Sequence, residues 1–159
     1  MLQKRHAFWF TCCFALCLVY EGAAQPPAGN WGIGIQFGSP SGLAVKRYNP
    51  GAMSFDALLA WDLDDFFFLN IHGLWEQPAG SLSPLRVYYG PGAFIGFVER
   101  RRGRPFRDDT DVRLGISGTL GLNYYFDRFE IYLQLTPRLQ LIERTDGSVG
   151  GGLGFRFYL

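Results

Sequence analysis

Between Glu130 and Leu141 the chain alternates for a dozen positions. Ile131, Leu133, Leu135, Pro137, Leu139 and Leu141 hold the odd numbers, and Glu130, Tyr132, Gln134, Thr136, Arg138 and Gln140 hold the even ones. Side chains of a β-strand point to opposite faces with period two, so the tract reads as one strand with an apolar face and a polar face. Its length carries the argument further. A globular strand has about 5–6 residues, whereas a tilted strand crossing a bilayer needs about 9–11. The tract predicts a membrane-spanning strand of a β-barrel.

Turn chemistry divides the rest of the chain into eight such segments, with strands expected at Trp31–Gly38, Gly42–Asn49, Met53–Asp62, Phe66–Gln77, Leu85–Glu99, Asp111–Phe126, Phe129–Arg144 and Ser148–Leu159. The breaks fall at Ser39-Pro40-Ser41, Asn49-Pro50-Gly51, Leu63-Asp64-Asp65, Pro78-Ala79-Gly80, Asp127-Arg128 and Thr145-Asp146-Gly147, all rich in turn formers. No amphipathic helical period appears after the first 30 residues. An even strand number permits antiparallel closure, which removes exposed sheet edges. The expected fold is all-β: an eight-stranded antiparallel up-and-down transmembrane β-barrel. With both termini on the periplasmic side, the long connection Arg100–Thr110 becomes the third outer loop. The connection Gln77–Pro84 is longer than a periplasmic turn should be.

Parity also separates inside from outside. In the last three strands one parity carries Arg113, Ser117, Thr119, Asn123, Glu130, Gln134, Arg138 and Arg156, and the other carries Leu114, Ile116, Leu120, Leu122, Leu153, Phe155, Phe157 and Leu159. An Arg facing lipid costs about 2–4 kcal/mol near the bilayer midplane, so the polar parity belongs inside. The same rule puts Lys46, Asp56, Asn70, His72, Glu76 and Arg86 inside. The expected lumen network is Lys46, Asp56, His72, Arg86, Arg113, Glu130, Arg138 and Arg156, paired into an ionic plug because an unpaired buried charge is costly. Gly90, Gly92, Gly96, Gly115, Gly121, Gly152 and Gly154 share this face and make room for Tyr88, Tyr125 and the arginines in a lumen that side chains must fill. The alternative is a soluble periplasmic lipocalin-like barrel carrying a small apolar ligand. Its exterior would have to be the Gly, Ser, Thr, Tyr and Gln face, whereas soluble exteriors are rich in Lys and Glu. Trp31, Trp61, Trp75, Tyr89 and Tyr124 fall on the apolar parity, several near strand ends where membrane girdles sit.

The front end adds an expectation of export. Lys4 and Arg5 precede an apolar stretch from Ala7 to Tyr20, and Gly22-Ala23-Ala24 offers a cleavage site before Gln25. A helical signal peptide is therefore expected at residues 1–24, a Pro/Gly linker at 25–30 and the outer-membrane barrel at 31–159. The apolar stretch falls short of the ~20 residues of a spanning helix. All three cysteines (Cys12, Cys13, Cys17) lie in the signal segment, which leaves the mature chain without a thiol. Removing Lys4, Arg5 and Glu21 from the 15 basic and 14 acidic residues leaves 13 of each, and a net charge near zero argues against nucleic acid as a partner.

Several motifs carry a resemblance that runs in order through the mature chain. They are Gly32-Ile33-Gly34-Ile35 followed by Gly38-Ser39-Pro40-Ser41-Gly42-Leu43, Lys46, Asp56-Ala57-Leu58-Leu59-Ala60-Trp61, Tyr88-Tyr89-Gly90-Pro91-Gly92, Leu114-Gly115-Ile116, Gly121-Leu122-Asn123-Tyr124-Tyr125-Phe126, Glu130-Ile131-Tyr132-Leu133 and Gly152-Leu153-Gly154-Phe155-Arg156-Phe157-Tyr158. Together they resemble a family of small eight-stranded outer-membrane β-barrel proteins of spirochaetes and other diderm bacteria, largely of unassigned function. The resemblance implies the barrel and transfers no catalytic residue. Phe94 departs from it, standing where an interior Arg is expected. Gly154, Phe155, Phe157 and Leu159 resemble the C-terminal signal read by the barrel-assembly machinery, with Leu in place of a final Phe.

Candidate chemistry is sparse. His72 is the single histidine of the mature chain and lies on the inward parity. The His-x-Ser pair of outer-membrane lipid A deacylases, a further alternative as a lipid-modifying enzyme, is His72-Gly73-Leu74 here and lacks the Ser. One histidine, no cysteine and no HExxH spacing give no basis for a metal, and no cofactor is expected. Asp62, Asp64 and Asp65 read as a solvated acidic turn. The third outer loop is arginine-rich in its first half: Arg100, Arg101, Arg102, Arg104 and Arg107, followed by Asp108, Asp109 and Asp111. Guanidinium groups pair bidentately with phosphate, so the loop could contact lipopolysaccharide or another anionic surface ligand; it could equally fold on itself through Arg–Asp pairs. The expected protein is a monomeric, non-enzymatic barrel in contact with outer-membrane lipids, structural or adhesin-like in role.

Overall fold

The alternating tract forms β7 (Phe129–Gln140), with Glu130, Tyr132, Gln134 and Thr136 buried and Ile131, Leu133, Leu135 and Pro137 exposed. A computed structural model describes residues 30–62, 66–80, 82–100, 109–142 and 145–159. The other strands are β1 (Trp31–Ser39), β2 (Gly42–Arg47), β3 (Ser54–Asp62), β4 (Phe66–Ala79), β5 (Leu82–Arg100), β6 (Asp109–Phe126) and β8 (Asp146–Tyr158). They pair in chain order, all antiparallel, and β1 closes against β8. The segment expected to be a signal peptide, and all of the expected linker except Asn30, lie outside the described residues.

Several strand boundaries differ from the sequence expectation, the larger departures for local reasons. The over-long Gln77–Pro84 connection shrinks to a tight turn at Gly80, because the ladder continues to Ala79↔Leu82 through a bulge at Pro78/Ala79. Proline has no N–H to donate, so the register breaks at that point. The β5–β6 hairpin runs on to Arg100↔Asp109, further than Glu99 and Asp111. β7 stops at Gln140 and not Arg144, because the Leu141 and Ile142 amides both turn to the Leu114 carbonyl, at 2.9 and 3.4 Å. β8 begins at Asp146, two residues before Ser148, opposite Gln140.

The stagger of the barrel follows from the pairing. Stepping from partner to partner from Gly32, a lateral row passes Lys46, Asp56, His72, Gly92, Ser117, Arg138 and Ser148. Gly32 itself pairs on β8 with Tyr158, ten residues beyond Ser148. Such a shear obliges the strands to tilt, by about 35–45° in barrels of this kind. A row of neighbours therefore climbs from the end holding the chain terminus to the end holding the connections after β1, β3, β5 and β7.

Polarity is inverted relative to a soluble protein. Lys46, Asp56, Asn70, His72, Glu130 and Arg156 are buried, while Leu135 is 59% exposed and Trp31, Trp61 and Trp75 stand on the outer face. A lipocalin-like carrier requires the opposite arrangement. Close packing inside depends on glycine. A Cβ at Gly154 would strike the Tyr132 ring, one at Gly121 the Tyr88 ring, and one at Gly115 the Phe94 ring. At the β1–β8 seam, a Cβ on Gly34 would meet the carbonyl oxygen of Phe155, so the two backbones would have to part. Gly34→Ala should destabilise the barrel by about 1–3 kcal/mol, the usual cost of overpacking, read as a lower midpoint in urea. Gly147→Ala, with nothing within 4 Å of its Cβ, should leave that midpoint unchanged.

Candidate functional site: the ionic core and the mouth of the barrel

Three strands at the terminal end bring the charges together. Lys46 enters from β2, Glu76 from β4 and Glu130 from β7; Lys46 Nζ lies 2.7 Å from Glu76 Oε1 and 2.8 Å from Glu130 Oε1. Arg156, on β8 opposite Glu130, places Nη1 3.3 Å from Glu130 Oε2 and binds Asp56 through Nη2. Arg86 Nη2 donates to the Glu76 carbonyl at 3.3 Å, and its Nε lies 3.6 Å from the Glu76 carboxylate. Three cations (Lys46, Arg86, Arg156) thus meet three carboxylates (Asp56, Glu76, Glu130), and the set is neutral.

Neutral donors complete the carboxylates. Tyr158 OH donates to Glu130 Oε2 at 2.6 Å, Asn123 Nδ2 to Glu130 Oε1 at 2.9 Å, and Tyr125 OH to Glu76 Oε2 at 3.0 Å. The Tyr48, Tyr125 and Tyr158 rings form a buried cluster closing the terminal end. The Arg156 guanidinium lies 3.7 Å from the Tyr132 ring centroid, a cation–π contact. Towards the loop end follows an amide layer, in which Tyr88 OH donates to Gln134 Oε1 at 3.0 Å and Gln134 Nε2 to Gln36 Oε1 at 2.9 Å. Buried charges persist only when paired and hydrogen-bonded, and most of these are.

His72 acquires partners that lie far from it in sequence. Its Nε2 is 3.2 Å from Ser117 Oγ, and its Nδ1 is 3.9 Å from Asp56 Oδ2. The residue types are those of a nucleophilic triad, but the bonding is not. Ser117 gives its proton to Asn70 Oδ1 at 2.9 Å, which leaves its oxygen to accept from His72 Nε2–H. The Asp56 separation exceeds hydrogen-bond reach. With the Ser117 proton on Asn70, it is the tautomer protonated at Nε2 that bonds to Ser117 Oγ, and that tautomer is the reverse of a general base towards this hydroxyl.

Of the eight expected network residues, Lys46, Asp56, Arg86, Glu130 and Arg156 form one ionic cluster, and His72 borders it through Asp56. Arg113 and Arg138 share the inward parity but stand apart at the loop end. Arg138 lies on the climbing lateral row six strands on from Gly32, and Arg113 sits near the start of β6. Gln36, Tyr48 and Tyr158 are members of the polar core that sequence reading leaves out. Gln36 and Tyr158 were recoverable, since they share the parity of Gly32 and Gly34 and of Gly154 and Arg156. Phe94, in the place of the expected interior Arg, stacks on Phe68 with ring centroids 5.7 Å apart. The pair closes the lumen below the mouth. Of the loop arginines, only the backbone of Arg100 is described; Arg101, Arg102, Arg104 and Arg107 lie outside the described residues. Gly154, Phe155, Phe157 and Leu159 end the chain, with Gly154 buried and the other three facing outward.

The fold has solved counterparts. The chain is similar to the N-terminal β-barrel domain of Pseudomonas aeruginosa OprF (TM-score 0.62, 15% identity), over 83% of this chain and 98% of that one. It is also similar to Neisserial surface protein A (TM-score 0.54, 12% identity), over 82% of this chain and 94% of that one. At these identities the likeness is one of fold. No protein-family model matches the sequence, and no curated protein does.

The core makes a sharp prediction. Glu130→Ala removes the carboxylate shared by Lys46 and Arg156, and should cost about 3–5 kcal/mol in urea unfolding from micelles. Lys46→Met combined with Glu130→Gln should cost less than the two single changes added together, because the pair leaves together.

Proposed function

We propose that the chain is an integral outer-membrane β-barrel protein of structural or adhesin-like role, exported by a cleaved signal peptide, monomeric and non-enzymatic. The observation that carries this reading is the inside-out polarity of a closed barrel: a neutralised set of charges in the lumen and an outer face of Leu, Ile, Phe and Trp. Water on that face would be opposed by the hydrophobic effect, whereas hydrocarbon accepts it and closure leaves no unpaired strand edge. Kinship with the spirochaete-type barrels belongs to the same proposal and rests on the ordered motifs from Gly32 to Tyr158.

Surface interaction is assigned to the third outer loop, where Arg100, Arg101, Arg102, Arg104 and Arg107 offer guanidinium groups to lipopolysaccharide phosphates or another anionic surface ligand. Outer-membrane lipids are the partners of the apolar face. The barrel-assembly machinery is the partner of Gly154, Phe155, Phe157 and Leu159 during biogenesis. The bonding around His72 supports the non-enzymatic reading, because Ser117 Oγ donates its proton to Asn70 Oδ1 and not to the imidazole.

Membrane extraction tests the location. The mature protein should stay with outer membranes until detergent is added, and protease applied to intact cells should cut within Arg100–Arg107; recovery from the periplasm without detergent would overturn the reading. Deleting Arg100–Arg107 should weaken binding to lipopolysaccharide or sulfated glycans, and unchanged binding would sink the adhesive role. Purified protein in planar bilayers should show no steady open-pore conductance, since the ionic core and the Phe68–Phe94 pair fill the lumen.

A further inference from the structure

The mouth of the barrel holds a cavity of about 220 Å³ at the end of the lumen remote from Trp31 and Leu159. Its floor is the stacked Phe68–Phe94 pair, and its walls include Arg113 from β6, Arg138 and Gln140 from β7, and Asp146 from β8. The two arginines differ from those of the ionic core in having no carboxylate partner among the described residues. Arg138 is only partly used: Nη2 donates to the Ser39 carbonyl at 3.2 Å, and the guanidinium lies 4.9 Å from the Phe68 ring centroid. Its Nε is shielded from water and makes no hydrogen bond among the described residues. Arg113 makes no hydrogen bond or ion pair to a described residue and is half-buried. Buried polar atoms in native proteins are rarely left unpaired, so spare guanidinium donors over an apolar floor ask for an acceptor.

We infer that this cavity binds a small aromatic monocarboxylate, its carboxylate held by Arg113 and Arg138 and its ring resting towards Phe68 and Phe94. Charge, shape and size each select this class. Among the described lining residues, two arginines against Asp146 leave one net positive charge, which suits a monoanion better than a dianion. Guanidinium groups recognise the planar carboxylate by paired hydrogen bonds. The phenyl floor receives an aromatic ring edge-on or offset. An apolar cavity of about 150 Å³ is known to admit benzene in a protein core, so 220 Å³ accommodates a ring with its carboxylate. The described lining of the cavity contains none of the loop arginines.

Binding can be measured on the full mature chain in detergent micelles by titration calorimetry, with benzoate as the probe and inorganic phosphate as the charge-only control. Benzoate should bind one to one with a Kd of roughly 0.1–1 mM, and phosphate at least tenfold more weakly. Arg113→Met and Arg138→Met should each weaken benzoate about tenfold, the loss of charge-assisted hydrogen bonds. Gly96→Leu provides a second route that keeps both arginines. The nearest neighbours of a Cβ there are at 3.5 Å, so the residue tolerates a side chain, and the longer one fills the cavity. It should abolish benzoate binding while heat-modifiable gel mobility stays that of the folded barrel. No saturation by 10 mM benzoate (a concentration on the order of ten times the weakest expected Kd), or binding unchanged by Gly96→Leu, overturns the proposal. Phosphate binding as tightly as benzoate overturns the aromatic assignment and points to a bare oxyanion site, such as one for a lipid phosphate.

Discussion

An eight-stranded barrel is too narrow for a channel and too polar inside to be left half-empty, so every charge placed in the lumen must be neutralised there. The carboxylate of Glu130 is the point at which this demand is met. It takes Lys46, Arg156, Tyr158 and Asn123 from three other strands, and thereby couples β2, β6 and β8 to β7 across the barrel. Glu76 does the same for Lys46, Arg86 and Tyr125. The core is thus a cross-brace as well as a filling. Its members meet one another across a lumen opened by glycine.

The two ends of the barrel are finished differently, and this shapes what each end can do. At the terminal end three tyrosines cover the ionic cluster, the hydroxyls of Tyr125 and Tyr158 serving carboxylates and the three rings excluding water. At the loop end two phenylalanines form the lid of the core and also the floor of the mouth. Phe94, where the resemblance leads one to expect a charged arginine, gives the mouth an apolar base. Arg113 and Arg138 stand above that base without, among the described residues, the carboxylate partners that Arg86 and Arg156 possess.

The bonding around His72 shows how residue identity and residue role come apart. Asp56, His72 and Ser117 sit near one another on a single lateral row, within sight of the arrangement used for nucleophilic catalysis. Asn70 takes the serine proton and Arg156 takes Asp56, so each member is engaged in stabilising the core. The three residues are spread over β3, β4 and β6, and no short motif in the chain announces their meeting.

What the amino-acid order determined by itself is the set of strands and the face on which each side chain falls. Period-two alternation is a local property of an extended backbone, which is why Lys46, Asp56, Glu130 and Arg156 were legible as inward and Leu133, Leu135 and Trp61 as outward. Strand ends were less legible, because the halt at Gln140 depends on the Leu114 carbonyl and the bulge at Pro78 on its partner strand. Which inward residues meet was decided only by the tertiary structure. Closure with a ten-residue stagger sets the height of every side chain along the axis, and that quantity belongs to the whole sheet. It lifted Arg113 and Arg138 out of the ionic core to the mouth and brought Ser117 to His72.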